Sequence, residues 1–277
     1  MSLLQVDSLS LGLRGAPVLR GVSLKIEPSG IAGVVGESGA GKSMLGKAIL
    51  GVLPRDVTVT GGAIRLNGTD LLALGPRARR ALLKRDLALI PQDPLSALNP
   101  CRTISAQLAE VLPKGTADAK MEVIRWLDAV RIPSATKVAR SFPHALSGGM
   151  RQRALIAAAF ASRPRLVIAD EPTTALDVTV QKDVLHLIRE MQRETGVGLM
   201  FVTHDLCVVA KICHSVTVMH GGRVIEQAAC TDLVNRPGHA YSQALLAATP
   251  RPDQAGRGLE PVPTALIERM IAEAGDG

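Results

Sequence analysis

A short glycine-rich segment constrains the fold of this chain more than any other part of the sequence. Residues 36–43 read Gly-Glu-Ser-Gly-Ala-Gly-Lys-Ser and fit the phosphate-binding pattern G-x-x-x-x-G-K-[ST]. The apolar residues 31–35 before it are typical of a buried strand, and residues 44–50 after it are typical of a helix that stops at Gly51. A strand, a glycine loop and a helix in this order predict an α/β fold with a nucleoside triphosphate site.

The residue types of this loop suit a polyphosphate. Its glycines let the backbone turn sharply and present N–H groups, and the N-terminus of the following helix adds a positive dipole end. We expect Lys42 to reach the β- and γ-phosphates and the Ser43 hydroxyl to coordinate Mg²⁺. The residues expected to contact the nucleotide are Gly36, Glu37, Ser38, Gly39, Ala40, Gly41, Lys42 and Ser43. Taken alone, the loop predicts nucleotide binding and nothing more specific.

Composition argues against several other classes of protein. Hydrophobic residues make up 47% of the 277 residues and aromatic residues only 2%, which predicts a sizeable aliphatic core. No apolar run reaches the roughly 18 residues of a membrane span, and the N-terminus does not resemble a signal peptide, so we expect a cytoplasmic location. The four cysteines show no C-x-x-C spacing, which argues against a zinc site or a disulfide framework.

The formal net charge of +7 is compatible with a nucleic-acid partner, an anionic membrane surface, or neither. Basic residues cluster between positions 77 and 85, where we expect the solvated face of a helix. No aromatic residues interleave with them, which argues against a platform for single-stranded nucleic acid.

Apolar patterning predicts strands that alternate with helices, and hence a mostly parallel sheet with helices on both faces. Residues 3–30 and 57–72 alternate like antiparallel strands with one solvated face, with turns at Gly61-Gly62 and Asn67-Gly68. Continuous apolar segments predict buried strands at residues 87–90, 166–170 and 198–203, and a hairpin is expected around Gly221-Gly222. Helices are expected at residues 76–83, 103–112, 118–130, 147–162 and 177–193. Residues 235–277 are rich in Pro, Ala and Gly and are expected to pack loosely.

Two further segments carry residue types suited to phosphate chemistry. Asp170 and Glu171 end a predicted buried strand, where the aspartate can hold Mg²⁺ and the glutamate can polarise an attacking water. Such paired carboxylates also often cap the next helix. Ser147, Gly148 and Gly149 precede an alanine-rich helix and can present N–H groups to an anion, although an ordinary helix cap reads the same way.

Together these segments resemble the ATP-binding subunits of ABC transporters. Residues 36–43 match the Walker A motif and residues 166–170 match Walker B, with Glu171 as the general base. Residues 146–152 match the signature, which reads LSGGM here and usually LSGGQ. Residues 175–177 match the D-loop, and further matches are the Q-loop glutamine Gln92 and the switch histidine His204.

The resemblance spans residues 3 to about 235, in the family's order of motifs. It implies a P-loop NTPase (ABC ATPase) fold with a mostly parallel sheet and an N-terminal antiparallel β subdomain. A helical subdomain would be inserted at about residues 95–162 of an ATPase domain at 1–235, followed by a C-terminal extension at 236–277.

The resemblance also implies a role for each matched residue. Glu171 would activate water, His204 would contact the γ-phosphate, and Gln92 would report nucleotide occupancy. The Mg²⁺ ligands would be Ser43, Gln92 and Asp170. The signature residues Ser147, Gly148 and Gly149, together with Asp177, would contact the ATP held at a composite site between two ATPase subunits.

Three segments, at residues 91–100, 170–181 and 239–246, are similar to those of oligopeptide, dipeptide and nickel importers. Within that set the chain looks like the D-type ATPase subunit. The resemblance implies a second ATPase subunit, two membrane permease subunits and an extracytoplasmic binding protein as partners. It also implies a peripheral location on the cytoplasmic face of the inner membrane. Peptides, nickel and metal chelates all fit as cargo, with the short tail leaning towards nickel.

The sequence departs from the family pattern at two places and leaves one rival function. No aromatic residue near Leu13 or Arg14 is present to stack on adenine, so one of these two side chains is expected to cover the base. Met150 replaces the usual signature glutamine, a substitution that does not imply inactivity. The rival is a soluble ABC ATPase that acts on DNA or ribosomes, which the basic charge favours and the importer-like segments oppose.

Overall fold

The computed structural model describes residues 2–174 and 176–248. The chain divides into two compact units. The first unit comprises the described residues of Met1–Arg79 and Met200–Gly277, and the second unit is Arg80–Leu199.

The described residues form strands and helices, with a run of consecutive helices between β6 and β7. The strands are β1 Leu4–Leu13, β2 Ala16–Ile26, β3 Ile31–Val35, β4 Val57–Leu66, β5 Thr69–Asp70, β6 Leu87–Ile90, β7 Leu166–Asp170, β8 Gly198–Thr203, β9 Ser215–His220 and β10 Arg223–Ala229. The helices are α1 Lys42–Leu50, α2 Pro76–Asp86, α3 Pro94–Ala97, α4 Ile104–Val111, α5 Ala119–Ala129, α6 Ala135–Ala139, α7 Gly148–Ala161, α8 Val178–Thr195, α9 Leu206–Ile212, α10 Cys230–Asn235 and α11 Ala240–Ala247. Residues Pro143–Ala145 form a 3₁₀ turn.

An antiparallel sheet with the strand order β2-β1-β4-β5 lies in the first unit, as the alternating pattern predicts. Buried Leu4, Val6, Leu9 and Leu11 mark its packed face. Asn67 and Gly68 form the tight turn between β4 and β5, with φ of 48° and 79°. Positive φ at both central residues is the reason why Asn-Gly favours this turn.

The prediction of a turn at Gly61-Gly62 is wrong, because both residues lie inside β4. The pairing of β4 with β1 shifts register between Asp7 and Ser10, opposite this pair of glycines. Gly62 has φ of 90°, and a Cβ on it would lie 2.5 Å from the carbonyl oxygen of Asp7. The glycine therefore accommodates a β-bulge within a continuous strand.

Parallel strands form the core of each unit, which confirms the predicted α/β class. In the first unit β3 pairs in parallel with β9, and β10 pairs antiparallel with β9 through the predicted hairpin. In the second unit β6 pairs in parallel with β7. Every residue of β3 and β8 is buried, as expected of strands with both faces covered.

The expectation of a fully buried strand at residues 87–90 is wrong in part. Leu87 and Ile90 of β6 are buried, but Leu89 is 41% exposed. The strand β6 ends its sheet, so it has a neighbouring strand on one side alone. An edge strand has less cover than a central one, and its apolar sequence does not reveal this position.

The helices of the second unit begin close to the predicted residues because their caps are local. The side chains of Thr103, Asp118 and Ser147 accept hydrogen bonds from backbone N–H groups in the first turns of α4, α5 and α7. Trp126 of α5 is 8% exposed, and its indole N–H donates to Glu122. The tryptophan therefore has the packing role expected from the sequence.

The expectation of a loosely packed tail is wrong for its first part. Helix α11 buries Tyr241 and Ser242 completely, each with 0% exposure, and also buries Leu245 and Leu246. The Pro and Gly content of residues 235–277 suggested loose packing. The apolar side chains of α11 nevertheless lie on one face of the helix, and that face is buried. The prediction for residues 249–277 lies outside the described residues.

Candidate functional site

The phosphate-binding loop runs from the end of β3 into the first turn of α1. Gly41 is the N-cap of α1 and has φ of 96°, a conformation that favours glycine. A Cβ on Gly36 would lie 2.2 Å from the carbonyl oxygen of Met219, and one on Gly41 would lie 2.6 Å from a methyl group of Leu19. Contact with the Met219 backbone thus requires glycine at position 36, and the positive φ favours glycine at position 41.

The side chain of Lys42 lies inside the phosphate-binding loop, where its ammonium group contacts backbone carbonyls. Its side chain is buried, with 5% exposure. The ammonium Nζ donates to the carbonyl oxygens of Gly36 and Glu37, at 2.8 Å each. The positive charge therefore lies within the loop at the N-terminus of α1, where both the lysine and the helix dipole attract an anion.

The β9–β10 hairpin supports the loop from one side. The backbone N–H of Gly222 donates to the carbonyl of Ala40 at 3.2 Å. The carbonyl of Gly222 in turn accepts from the N–H of Arg20 in β2 at 2.9 Å. Gly222 therefore links the loop to the antiparallel sheet within the first unit.

The C-terminal helix α11 also reaches the loop. The hydroxyl of Tyr241 accepts a hydrogen bond from the backbone N–H of Glu37 at 3.4 Å. The Tyr241 ring packs against His220, with 4.8 Å between ring centroids. Burial and the nearby charge of Glu37 raise the pKa of Tyr241 to about 12. Sequence reasoning noted residues 239–246 as family-like and missed this contact, which joins residues far apart in the chain.

His204 follows β8 directly and belongs to the same unit as the loop. Its side chain is exposed, whereas Thr203 before it is buried. Asp205 caps helix α9 by accepting from the N–H groups of Cys207 and Val208. The histidine is thus held at the carboxyl end of a buried strand, between two well-anchored neighbours.

In the second unit, Gln92 and Glu171 lie together beyond the ends of β6 and β7. The amide Nε2 of Gln92 donates to a carboxylate oxygen of Glu171 at 3.3 Å. The same carboxylate oxygen accepts from the hydroxyl of Thr174 at 2.8 Å. Glu171 has φ of 45°, in the left-handed region. Because this conformation is uncommon outside glycine and asparagine, the sharp turn after Asp170 is a feature of backbone strain that often marks a functional position.

The signature residues form the N-terminus of α7. Ser147 is the N-cap, and its hydroxyl accepts from the N–H of Met150 at 3.3 Å. A Cβ on Gly148 would have no atom within 4 Å, whereas one on Gly149 would lie 3.1 Å from the Val180 side chain. The packing of α7 against α8 therefore explains why a small residue is needed at position 149. It does not explain the glycine at position 148.

Asp177 is the N-cap of α8, where its carboxylate accepts from the N–H groups of Thr179 and Val180 at 3.1 and 2.9 Å. Both bonds go to Oδ1, which gives Asp177 a structural role as a helix cap, and its contact with nucleotide stays a prediction. Ala175 of the D-loop lies outside the described residues.

Leu13 and Arg14, the residues expected to cover adenine, both have solvent-exposed side chains. Leu13 is 40% exposed at the end of β1. The guanidinium of Arg14 forms an ion pair with Asp56 at 2.7 Å, with its side chain 80% exposed. Arg14 therefore has a partner already, which leaves Leu13 as the simpler candidate for the base.

Comparison with known proteins agrees with these motifs. The family model described as "ABC transporter" matches residues 19–174 of the 277. A probable peptide ABC transporter ATP-binding protein of Sinorhizobium fredii, y4tR, is 44% identical over 84% of this chain and 71% of its own length. The oligopeptide transport ATP-binding protein OppD of Mycobacterium bovis is 42% identical over 95% of this chain, which spans only 44% of that relative.

Among solved structures, one is titled as cbiO1 of Clostridium perfringens, part of the ABC transporter complex cbiONQ. It aligns with a TM-score of 0.74 and 26% identity, over 85% of this chain and 91% of that one. Across the described residues, no helix combines the length and the apolar character that crossing a bilayer requires. From its phosphate-binding loop, its signature helix and these relatives, we conclude that the chain belongs to the ATP-binding protein family of ABC transporters and is an ATPase.

Proposed function

We propose that this chain is the ATP-hydrolysing subunit of an importer for peptides. The observation that carries the proposal is the phosphate-binding loop at the head of α1, with Lys42 buried inside it. The cargo class is supported by relatives that are named for peptide and oligopeptide transport. The importer-like segments at residues 91–100, 170–181 and 239–246 support the same class.

The proposed chemistry assigns hydrolysis to Glu171 as the general base for the attacking water. Its carboxylate is already oriented by Gln92 and Thr174, as a general base must be before it can act. His204, anchored at the end of β8, would contact the γ-phosphate. Ser43, Gln92 and Asp170 would each supply a ligand to Mg²⁺, because hydroxyl, amide and carboxylate oxygens are the ligand types that this ion prefers.

The proposed assembly pairs this chain with a second ATPase subunit, two membrane permease subunits and an extracytoplasmic binding protein. In that assembly Ser147, Gly148 and Gly149 would contact the nucleotide held by the partner ATPase. The exposed N-terminus of α7 supports this role, because Ser147 and Gly148 are open to an incoming ligand. The complex would lie on the cytoplasmic face of the inner membrane, with no nucleic acid as partner.

The proposal is tested by reconstituting this chain in vesicles with candidate permease, ATPase and binding-protein subunits of a peptide importer from the same organism. Uptake of labelled dipeptides and oligopeptides into vesicles is compared with uptake of nickel and of chelated nickel, with and without MgATP. We expect ATP-dependent peptide uptake that the Glu171→Gln variant abolishes. Uptake of nickel or its chelates alone would contradict the cargo class, while failure to assemble with any permease would favour a soluble ABC ATPase that acts on DNA or ribosomes.

A further inference from the structure

We propose that Tyr241 of the C-terminal helix α11 is a positioning residue for the phosphate-binding loop. Its hydroxyl accepts from the N–H of Glu37, the second residue of that loop. The inference rests on ATP binding by the loop and adds a residue outside the motifs that define the nucleotide site.

The contact acts on one peptide unit. The Gly36 carbonyl and the Glu37 N–H belong to the same planar group and point in opposite directions when the peptide is trans. On one side, Lys42 Nζ donates to the Gly36 carbonyl at 2.8 Å. On the other side, the Tyr241 hydroxyl accepts from the Glu37 N–H at 3.4 Å. Lys42 and Tyr241 together therefore fix the orientation of the peptide plane at the start of the loop.

The tyrosine itself is held firmly. The carboxylate of Glu226 in β10 accepts from the N–H groups of Gly238 and His239, at 2.7 and 3.1 Å. The ring nitrogen Nδ1 of His239 caps α11 by accepting from the Tyr241 N–H at 3.1 Å. These bonds fix the first turn of the helix, and the Tyr241 ring has 0% exposure and packs against His220. The hydroxyl therefore cannot follow the loop without disturbing β10 and α11.

The chemistry of the hydroxyl suits a permanent structural bond. With its pKa raised to about 12 by burial and by the charge of Glu37, Tyr241 stays protonated and neutral at physiological pH. A neutral hydroxyl accepts from Glu37 without placing a negative charge beside a loop that must bind polyphosphate. A buried phenolate at this place would repel the nucleotide.

The test replaces only the hydroxyl, by Tyr241→Phe in the full chain, because phenylalanine keeps the ring packing. We expect the Kd for a fluorescent MgATP analogue and for ADP to rise about three- to tenfold, as the loss of one such hydrogen bond predicts. Amide hydrogen exchange should become faster in the peptide that contains residues 36–41 and stay unchanged at β1. The melting temperature should fall by no more than about 4 °C.

The matched control is Gln243→Ala on the same helix. Gln243 is exposed, and its Nε2 donates to the Pro237 carbonyl at 3.0 Å, so the change removes a hydrogen bond of α11 that does not reach the loop. We expect this variant to keep wild-type nucleotide affinity and wild-type exchange at residues 36–41. Equal Kd values for the two variants would overturn the proposal, because α11 would then act only as a packing element.

A second measurement does not depend on the variant folding. Tyr241 is the only tyrosine in the chain, so growth on 3-fluorotyrosine labels this one site for fluorine NMR. We expect the resonance to shift when MgATP saturates the wild-type protein, since bound polyphosphate changes the electrostatic field at the loop peptide that the hydroxyl contacts. An unchanged resonance in a protein that demonstrably binds ATP would contradict the role of Tyr241. Failure of the wild-type protein to bind ATP would instead contradict the proposed function.

Discussion

The side-chain amide of Gln92 lies against the carboxylate of Glu171, with 3.3 Å between Nε2 and Oε2. The two residues are brought together by strand pairing, because Ile90 at the end of β6 is opposite Ala169 in β7. The carboxyl ends of parallel strands meet at one edge of a sheet, and each side chain extends just beyond that edge. The residue proposed as base and the residue proposed as sensor are thus coupled by a direct hydrogen bond.

We predict that Glu171→Gln keeps MgATP binding and abolishes steady-state hydrolysis. The amide retains the size of the side chain but cannot accept a proton from water. ATP affinity and ATPase rate are measured on the isolated subunit and on the assembled transporter. Turnover near the wild-type rate, in a complex whose only intact site is this one, would show that another group activates the water.

We predict that Gly148→Ala leaves the fold intact and lowers ATPase activity of the assembled transporter by about tenfold or more. A Cβ at this position has no atom within 4 Å, so any loss must come from a ligand or a partner subunit. Gly149→Ala is the matched comparison, because its Cβ would press on Val180 at 3.1 Å and should lower the melting temperature instead. If Gly148→Ala retains full activity, the signature backbone is not approached by nucleotide.

We predict that Ser147→Arg in this chain blocks hydrolysis by the assembled pair and spares ATP binding by the isolated subunit. The substitution places a long cation at the exposed N-terminus of α7 and leaves residues 36–43 unchanged. Equilibrium binding and ATPase assays separate the two effects. Loss of ATP binding by a folded, isolated variant would mean that the signature serves the ATP of its own chain.

We predict that Leu13→Tyr tightens ATP binding by about 1 kcal/mol, the scale of one added aromatic contact. Leu13 is 40% exposed at the end of β1, so a larger ring fits without displacing the core. Titrations with ATP and GTP check both affinity and base selectivity. Unchanged affinity for both nucleotides would place the base elsewhere.

We predict an acid-sensitive contribution of Glu226 to stability. Burial raises the pKa of its carboxyl, but the N–H groups of Gly238 and His239, which donate to it, help to bring the pKa below the ordinary value of 4.5. A pKa that is lower in the folded state gives stability above the unfolded pKa, and this stability is lost as pH falls through the folded pKa.

The measurement compares melting temperatures of wild type and Glu226→Gln from pH 7 to about pH 3. The wild type should be more stable at neutral pH, and the two curves should converge below the ordinary value of 4.5. Glu194→Gln, a change at an exposed carboxylate of α8, is the control and should follow the wild-type curve. Parallel curves for wild type and Glu226→Gln would show that the carboxylate charge has no part in holding α11.

The features that sequence predicts well here are those decided by neighbours in the chain. The Asn67-Gly68 turn and the cap at Ser147 each depend on a few adjacent residues, and the loop at residues 36–43 is recognisable from its own pattern of residues. The Gly61-Gly62 bulge depends on β1, since the shift of register against Asp7 decides whether two glycines turn the chain or bend a strand. Sequence alone does not contain that register.

The contact between Tyr241 and Glu37 shows the same limit more strongly. The two residues are 204 positions apart, and the sequence around neither of them predicts the contact. The sequence shows that residues 239–246 are similar to the corresponding segment of importers, but it does not show which part of the fold they contact. Only the packing of α11 beside the loop converts that likeness into a physical role.

The buried position of Lys42 has a consequence for how affinity for phosphate is achieved. A solvated lysine loses up to about 2 kcal/mol of side-chain entropy when a ligand immobilises it. Here the two carbonyl bonds of Lys42, each 2.8 Å long, restrict its rotamers within the folded protein. The side-chain entropy of Lys42 is therefore lost when the protein folds and not when the nucleotide binds. The loop is preorganised, and its cation can give more of its electrostatic attraction to binding.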